Sequence, residues 1–172
     1  MIKLNKIYTK TGDGGDTALG NGDRVLKDSL RVSAYGNVDE LNASIGVVTL
    51  YATEDLKGKL KNIQNDLFDL GADLCVPISE KNKQRLRVSI NQIETIETEI
   101  DEMNNILEPL NSFVLPGGCK SATFLHLART ICRRAERSVV SLRSEEEIND
   151  NTLVYLNRLS DWLFVASRVE NQ

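Results

Sequence analysis

Apolar residues recur at steps of three and four along most of this chain, and this period restricts the fold more than any other feature of the sequence. Between about Leu30 and Tyr51, the apolar residues with this spacing are Val38, Leu41, Ile45 and Val48. A helix brings residues at this spacing to one face, whereas a half-buried strand would alternate apolar and polar residues. The segment is therefore predicted to be an amphipathic helix with one buried face.

Two further helices are indicated by their ends. A second apolar series runs from about Asp55 to Cys75, and it stops at Pro77 because proline cannot continue a helix. A third series begins at Ser89 and Gln92, whose spacing is that of a capping box, and it ends before Pro109. Both segments are thus bounded by residues that favour the start or the end of a helix.

The second half of the chain completes the predicted fold. A fourth helix is expected from about Cys119 to Arg143 and a fifth from about Asn151 to Val169. Before the fourth helix, Pro116 and two glycines favour a tight turn. Five long helices with almost no strand predict an all-α fold, a five-helix bundle of ferritin-like type.

Residues 1–28 differ from the rest in composition. Glycines stand among aspartate and asparagine here, and such residues favour turns over regular structure; they are Gly12, Gly14, Gly15, Gly20 and Gly22. We predict an irregular glycine-rich loop with at most a short strand near Lys6 to Thr9, followed by a helical bundle over 29–172. The polar stretch between Ile78 and Val88 is predicted to be an exposed loop, and the chain 1–172 is predicted to be one domain.

Cysteine content and charge exclude several classes of protein. Cys75, Cys119 and Cys132 are an odd number of thiols without a Cys-x-x-Cys spacing, which argues against a disulfide framework and a cysteine zinc site. These thiols, and the lack of an apolar signal core in the first residues, predict a cytoplasmic protein. No uncharged run approaches the roughly 18 residues of a membrane span. The net charge of −4 makes nucleic acid a poor partner.

The glycine-rich loop offers groups that could hold phosphates. In the segment Thr9-Lys-Thr-Gly-Asp-Gly-Gly-Asp-Thr17 the glycines allow backbone N–H groups to approach a ligand, while three threonines supply hydroxyls and Lys10 supplies a cation. Neither the Gly-x-Gly-x-x-Gly pattern nor the P-loop pattern is present. Taken alone, the segment fits a plain surface turn better than a phosphate cradle.

The predicted fourth helix carries a row of arginines. Arg129, Arg133 and Arg137 follow one another at four-residue spacing on one face. Glu136 lies beside them, and Arg134 is offset. Guanidinium groups in a row repel one another unless anions lie opposite, and their planar donors match phosphate oxygens. We interpret the row either as a phosphate site or as a solvated face that forms ion pairs.

Polar residues also interrupt the apolar pattern of the predicted fifth helix. Asn157 and Asp161 lie one turn apart, where a polar group without a partner would be costly. They either join hydrogen-bond networks within the bundle or touch a ligand. His126 is the single histidine, and the lack of a Glu-x-x-His pair argues against a di-iron site. We therefore interpret His126 as a structural residue.

Three blocks of sequence stand in order along nearly the whole chain. They are Tyr8-Thr-Lys-Thr-Gly-Asp13 with Ala34-Tyr-Gly-Asn-Val-Asp-Glu-Leu-Asn42, Phe113-Val-Leu-Pro-Gly-Gly118 leading to Arg133-Arg-Ala-Glu-Arg137, and Tyr155-Leu-Asn-Arg-Leu-Ser-Asp161. Together they resemble the PduO-type family of ATP:corrinoid (cob(I)alamin) adenosyltransferases. The resemblance implies a cobalamin adenosyltransferase-like bundle that transfers the 5′-deoxyadenosyl group of ATP to the cobalt of a reduced corrinoid and releases triphosphate.

The resemblance also implies a set of site residues. Asp39 would form an ion pair with Arg129 of a neighbouring subunit, and Phe113 would close the lower face of the corrin. Arg133 would bind phosphate and assist the reaction. The residues that would line the ATP site are Thr9, Lys10, Thr11, Gly12, Thr17, Ala18, Lys27, Arg133, Arg134, Glu136, Arg137 and Asn157.

Further partners follow from the same resemblance. It implies a homotrimer with ATP and corrinoid at the subunit interfaces, and Mg²⁺ on the phosphates without firm protein ligands. It also implies an electron donor or reductase and an adenosylcobalamin-dependent enzyme as partners. Two rival functions stay open from sequence alone, namely a non-catalytic carrier of corrinoid or nucleotide and a structural helical adaptor.

Overall fold

The computed structural model describes residues 7–79 and 85–172. Within these ranges the chain forms five long helices and one small hairpin. The helices are α1 (Leu30–Thr49), α2 (Glu54–Cys75), α3 (Ile90–Asn104), α4 (Lys120–Arg143) and α5 (Asp150–Val169), and the strands are β1 (Asp16–Ala18) and β2 (Arg24–Leu26). The predicted all-α five-helix fold is confirmed.

Local capping residues set where two of the helices begin. The backbone N–H of Ser89 donates to Gln92 Oε1 at 2.9 Å, which completes the predicted capping box before α3. At the start of α1, Ser29 Oγ accepts a hydrogen bond from the N–H of Val32 at 3.4 Å. These bonds satisfy backbone groups that have no partner within the first turn of a helix.

The helices enclose one apolar core. α1 packs against α2 and α4, α4 packs against α5, and α5 packs against α3. The largest fully buried side chains are Trp162 and Tyr155 of α5. Trp162 Nε1 donates to Glu99 Oε2 at 2.7 Å, and the Tyr155 hydroxyl donates to Asp66 Oδ2 at 3.0 Å. Burial, together with the Asp66 carboxylate, raises the pKa of Tyr155 well above its usual value.

A buried carboxylate fastens one end of the bundle. Asp73 is 1% exposed and lies in the last turn of α2. It accepts hydrogen bonds from Arg87 Nη1 at 2.6 Å, from the N–H of Val88 at 2.8 Å and from Asn149 Nδ2 at 2.8 Å. Because Val88 precedes α3 and Asn149 caps α5, one side chain joins three helix ends.

The predicted irregular loop at the N-terminus contains the hairpin. β1 pairs with β2 in antiparallel register, with Thr17 opposite Val25. The turn between them includes Asn21 and Gly22, a pair that favours tight hairpin turns, and Gly22 has a φ of +94°. The expectation of an irregular segment is therefore wrong for the two strands, because Gly20 and Gly22 lie in the turn and the residues on either side of it pair.

Two other local predictions fall partly outside the described residues. At most a short strand was predicted near Lys6 to Thr9; residues 7–9 form no regular structure, and Lys6 lies outside the described residues. In the predicted exposed loop between Ile78 and Val88, Ser79 and Arg85 are exposed, and residues 80–84 lie outside the described residues.

Candidate functional site

The glycine-rich loop is folded onto the hairpin by two basic side chains. Arg24 Nη2 donates to the carbonyl of Thr11 at 2.6 Å, and Arg24 Nε donates to Asp16 Oδ2 at 2.7 Å. Lys27 Nζ donates to the carbonyl of Gly12 at 2.8 Å. A Cβ at Gly12 would lie 3.1 Å from the backbone carbonyl oxygen of Asp16 and 3.2 Å from Lys27 Nζ, so the space beside Gly12 is tight. The structure thus brings the predicted loop residues and Lys27 together.

Arg24 was not predicted to be a site residue from the sequence. The strand register places Arg24 opposite Ala18, and therefore diagonally across from Asp16 on the same face of the hairpin. The hydrogen bond from Arg24 lowers the pKa of the Asp16 carboxyl. The sequence alone does not indicate this pair, because the contact between Arg24 and Asp16 depends on the hairpin and its register.

The predicted polar groups of the loop are open to solvent. Thr9 Oγ1 and Thr11 Oγ1 form a hydrogen bond of 2.8 Å, and both residues are exposed. Lys10 is exposed and has a φ of +61°, a conformation that is uncommon outside glycine and is often found at functional sites. In β1, Thr17 is half-buried and Ala18 is exposed. The loop therefore presents hydroxyls and one cation toward the outside.

The three arginines in the row on α4 differ in how exposed they are to solvent. Arg129 is half-buried, and its Nε has no hydrogen-bond partner within the described part of the chain. Arg133 and Arg137 are exposed, and Arg137 Nη1 donates to the backbone carbonyl of Arg133 at 3.0 Å. Over residues 7–79 and 85–172, nothing hydrogen-bonds to the guanidinium of Arg133. It is therefore available to an anionic ligand.

The remaining predicted polar residues join neighbouring helices. Asn157 Nδ2 donates to Glu136 Oε1 at 2.9 Å, which links α5 to α4. Arg134 forms an ion pair with Glu40 of α1. Asn157 thus takes part in a hydrogen-bond network within the bundle, whereas Asp161 is exposed to solvent.

Phe113 stands at an open cleft of about 780 Å³ between the loop before α4 and the helices. The cleft is also lined by Val114, Arg129 and Phe164. The ring of Phe113 is fully exposed, which rules out core packing as the role of this residue in the isolated chain. An exposed aromatic ring that faces an apolar cleft with a cation in its wall is suited to a large, mainly apolar ligand with polar edges.

A second cleft, of about 360 Å³, lies between α1 and α2. Its lining includes Tyr35, Asp39, Asn42 and Phe68. Asp39 is exposed, Phe68 is 74% exposed, and Asn42 Oδ1 is buried without a partner in the described residues. Within those residues Asp39 forms no ion pair with Arg129. The predicted pair is therefore not made inside one chain.

The predicted ATP-site residues fall into two groups, one in the N-terminal loop and hairpin and one on α4 and α5. Among the residues that the structure describes, no hydrogen bond or ion pair joins the two groups. A ligand that touches both groups would have to bridge them, either across one chain or between copies.

His126 is part of the core. It is 3% exposed, and its Nε2 lies 3.2 Å from Ser167 Oγ. Burial lowers the pKa of its imidazole, and the nearby Arg129 charge adds to this effect. This environment suits the structural role predicted for His126.

Two kinds of feature are absent from the described residues, namely a cluster of metal-ligating side chains and a membrane-spanning helix. Among the described residues, no group of three or more histidine, cysteine, aspartate or glutamate side chains could hold a metal ion. Of the helices described above, none combines the length and apolar character needed to cross a membrane.

The chain is similar over nearly its whole length to proteins of one family. The family model described as cobalamin adenosyltransferase matches residues 7–170. The chain belongs to the cobalamin adenosyltransferase family. It is 47% identical over 171 residues to a corrinoid adenosyltransferase of Bacillus subtilis, with 96% of this chain and 86% of that protein covered. It is also 42% identical over 166 residues to the corrinoid adenosyltransferase PduO of Salmonella typhimurium, with 96% of this chain and 49% of that protein covered.

A solved cobalamin adenosyltransferase structure has the same fold. It is a variant PduO-type ATP:corrinoid adenosyltransferase from Lactobacillus reuteri complexed with cobalamin and ATP. The TM-score is 0.92 at 39% sequence identity, with 96% of this chain and 93% of that chain covered. The predicted family and the cobalamin adenosyltransferase-like bundle are confirmed, while the roles of individual residues stay predictions.

Proposed function

We propose that this protein transfers the 5′-deoxyadenosyl group of ATP to the cobalt of a reduced corrinoid and releases triphosphate. Membership of the cobalamin adenosyltransferase family supports this enzyme class. Within the structure, the proposal rests on the cleft in which the fully exposed Phe113 stands beside the half-buried Arg129. A corrin is a large ring with polar edges, and such a cleft suits it.

The chemistry requires no nucleophile from the protein. The lone pair of Co(I) forms a bond to C5′ of ATP while the bond between C5′ and the triphosphate oxygen breaks, so the triphosphate leaves with that electron pair. Cobalt thereby becomes Co(III). The tasks of the chain are to align the two substrates and to offset the negative charge that develops on the leaving group.

Three cations are proposed to offset that charge. Arg133 has a guanidinium without a partner in the described residues, and Lys10 is exposed on the glycine-rich loop. Lys27 already lies against that loop through the carbonyl of Gly12. Planar guanidinium donors and backbone N–H groups both suit phosphate oxygens. The other residues proposed to line the ATP site are Thr9, Thr11, Gly12, Thr17, Ala18, Arg134, Glu136, Arg137 and Asn157.

Phe113 is proposed to cover the lower face of the corrin. Its ring is exposed and is therefore free to meet a ligand. In that place it would keep a lower axial ligand away from cobalt. A cobalt without that ligand is reduced more easily from Co(II) to Co(I), which is the nucleophilic form.

A homotrimer would complete the site. Arg129 Nε is buried without a partner in the described chain, and Asp39 is exposed in the other cleft. A second copy that brings its Asp39 to Arg129 would satisfy both groups. Because the two patches differ, the contact is head-to-tail, and such a contact forms a ring when the rotation between copies closes, as the proposed trimer requires. ATP and corrinoid would then bind at the interfaces of the ring.

Other components belong to the same proposal. Mg²⁺ would accompany the triphosphate, since the described residues offer no cluster of metal-ligating side chains and Mg²⁺ keeps much of its water. An electron donor or reductase would supply reduced cobalt, and an adenosylcobalamin-dependent enzyme would receive the product. The three free thiols agree with a cytoplasmic location.

One experiment separates this function from its rivals. The protein is incubated with ATP and chemically reduced cobalamin, and the absorption spectrum is followed for formation of a Co–C bond while triphosphate is measured. We expect equal amounts of adenosylated corrinoid and triphosphate. A carrier would bind ATP without consuming it, and an adaptor would bind neither substrate, so either result would refute the proposal.

A further inference from the structure

The loop that carries Phe113 has almost no packing of its own. Every residue from 108 to 116 is exposed, and the Phe113 ring is fully so. Contacts with the core therefore cannot orient the ring. Its position depends on how the backbone is fixed at the two ends of the loop.

Both ends of the loop are fastened to the end of α5. Near the beginning, Arg168 Nη2 donates to the carbonyl of Glu108 at 2.5 Å. At the other end, the side-chain amide of Asn171 makes two hydrogen bonds. Its Nδ2 donates to the carbonyl of Gly117 at 3.0 Å, and its Oδ1 accepts from the N–H of Cys119 at 2.9 Å. One side chain thus pairs with the backbone on both sides of Gly118.

The fit around Gly118 is close. Gly118 has a φ of +113°, a conformation that favours glycine, and a Cβ at this position would overlap the amide of Asn171. The thiol of Cys119 adds a further bond by donating to the carbonyl of Glu170 at 3.1 Å. The path of the chain from Pro116 into α4 is therefore set by this contact, which we call the Asn171 clasp and which comprises Asn171, Gly117, Gly118 and Cys119.

We infer that Asn171 is a positioning residue for adenosyl transfer, because the Asn171 clasp holds the loop that places Phe113 below the cobalt. The inference rests on the proposed function, which assigns Phe113 to the lower face of the corrin. A residue that acts through Phe113 affects the reaction that starts from Co(II), since that reaction needs an open lower face. It leaves the reaction from pre-formed Co(I) and the KM for ATP nearly unchanged, because the clasp includes none of the proposed ATP contacts.

The test compares Asn171→Ala with the wild-type protein and with Asn62→Ala, a matched control on the exposed surface of α2. We expect Asn171→Ala to slow the reaction from Co(II) about ten-fold, the scale of losing one or two hydrogen bonds. The reaction from Co(I), the KM for ATP and all kinetics of Asn62→Ala should stay near wild type. The spectrum of bound Co(II) corrinoid with ATP should show a smaller fraction that lacks the lower axial ligand.

A double variant provides the sharper criterion. In a Phe113→Ala background, Asn171→Ala should have no further effect on the Co(II) reaction, because the clasp acts through the ring. Equal losses from Co(II) and Co(I), unchanged kinetics, or a full additional loss in the double variant would each overturn the inference while leaving the proposed function intact. If Asn171→Ala does not fold, Asn171→Asp, which keeps the acceptor for the Cys119 N–H, is judged by the same criteria. A wild-type protein that forms no Co–C bond would refute the function and the inference together.

Discussion

Replacing Arg133 tests ligand binding separately from folding. The side chain is exposed, and its guanidinium has no partner in the described chain, while the bond that Arg137 makes to residue 133 uses the backbone and survives truncation. Arg133→Ala should therefore change the free energy of unfolding by no more than about 0.5 kcal/mol. A partly desolvated contact with the leaving triphosphate is worth about 2–4 kcal/mol, which corresponds to a loss of roughly 30- to 1000-fold in kcat/KM for ATP.

The assay is steady-state adenosylation with excess Co(I) corrinoid and varied ATP, combined with urea unfolding. Arg133→Lys keeps the charge but loses the planar pair of donors, so it should recover only part of the activity. Arg143→Ala is the matched control, because Arg143 lies on the same helix and pairs in solvent with Asp150 at 2.9 Å. A folded Arg133→Ala protein with wild-type kcat/KM for ATP would show that the triphosphate does not bind at this part of α4.

Three further outcomes are expected. Asp73→Ala removes the buried acceptor of three hydrogen bonds and should destabilise the fold by about 3–5 kcal/mol in urea unfolding, whereas the exposed Asp101→Ala should change stability little. Tyr155 has a raised pKa in the folded state, so above the ordinary value of 10.0 the unfolded chain releases a proton that the folded chain keeps. Stability should therefore fall as the pH rises above 10, and less steeply in Tyr155→Phe; parallel curves would contradict this reasoning. Sedimentation of the wild type should show a trimer and Asp39→Ala should weaken it, and a fully active monomer would refute the proposed pairing with Arg129.

The sequence could predict the helices because helix formation is decided over short distances. Apolar spacing, the capping box at Ser89 and the stops near Pro77 and Pro109 all act within a turn or two, and α1, α2, α4 and α5 begin and end within two residues of their predicted limits. The hairpin between Asp16 and Leu26 was missed because its strands have three residues each, too few to show any period.

The candidate site shows the same difference between features that short stretches of sequence determine and contacts between distant residues. Residue types in sequence indicated which side chains suit phosphates, and the resemblance of the motifs named the family. Only the tertiary structure showed that Arg24 fastens the glycine-rich loop, that Arg129 Nε lacks a partner in the described chain, and that Asn171 binds the backbone at Cys119. These contacts join residues far apart in the chain, so they depend on how the packed helices bring distant segments together. Local periodicity, which reports only on neighbours along one helix, holds no information about them.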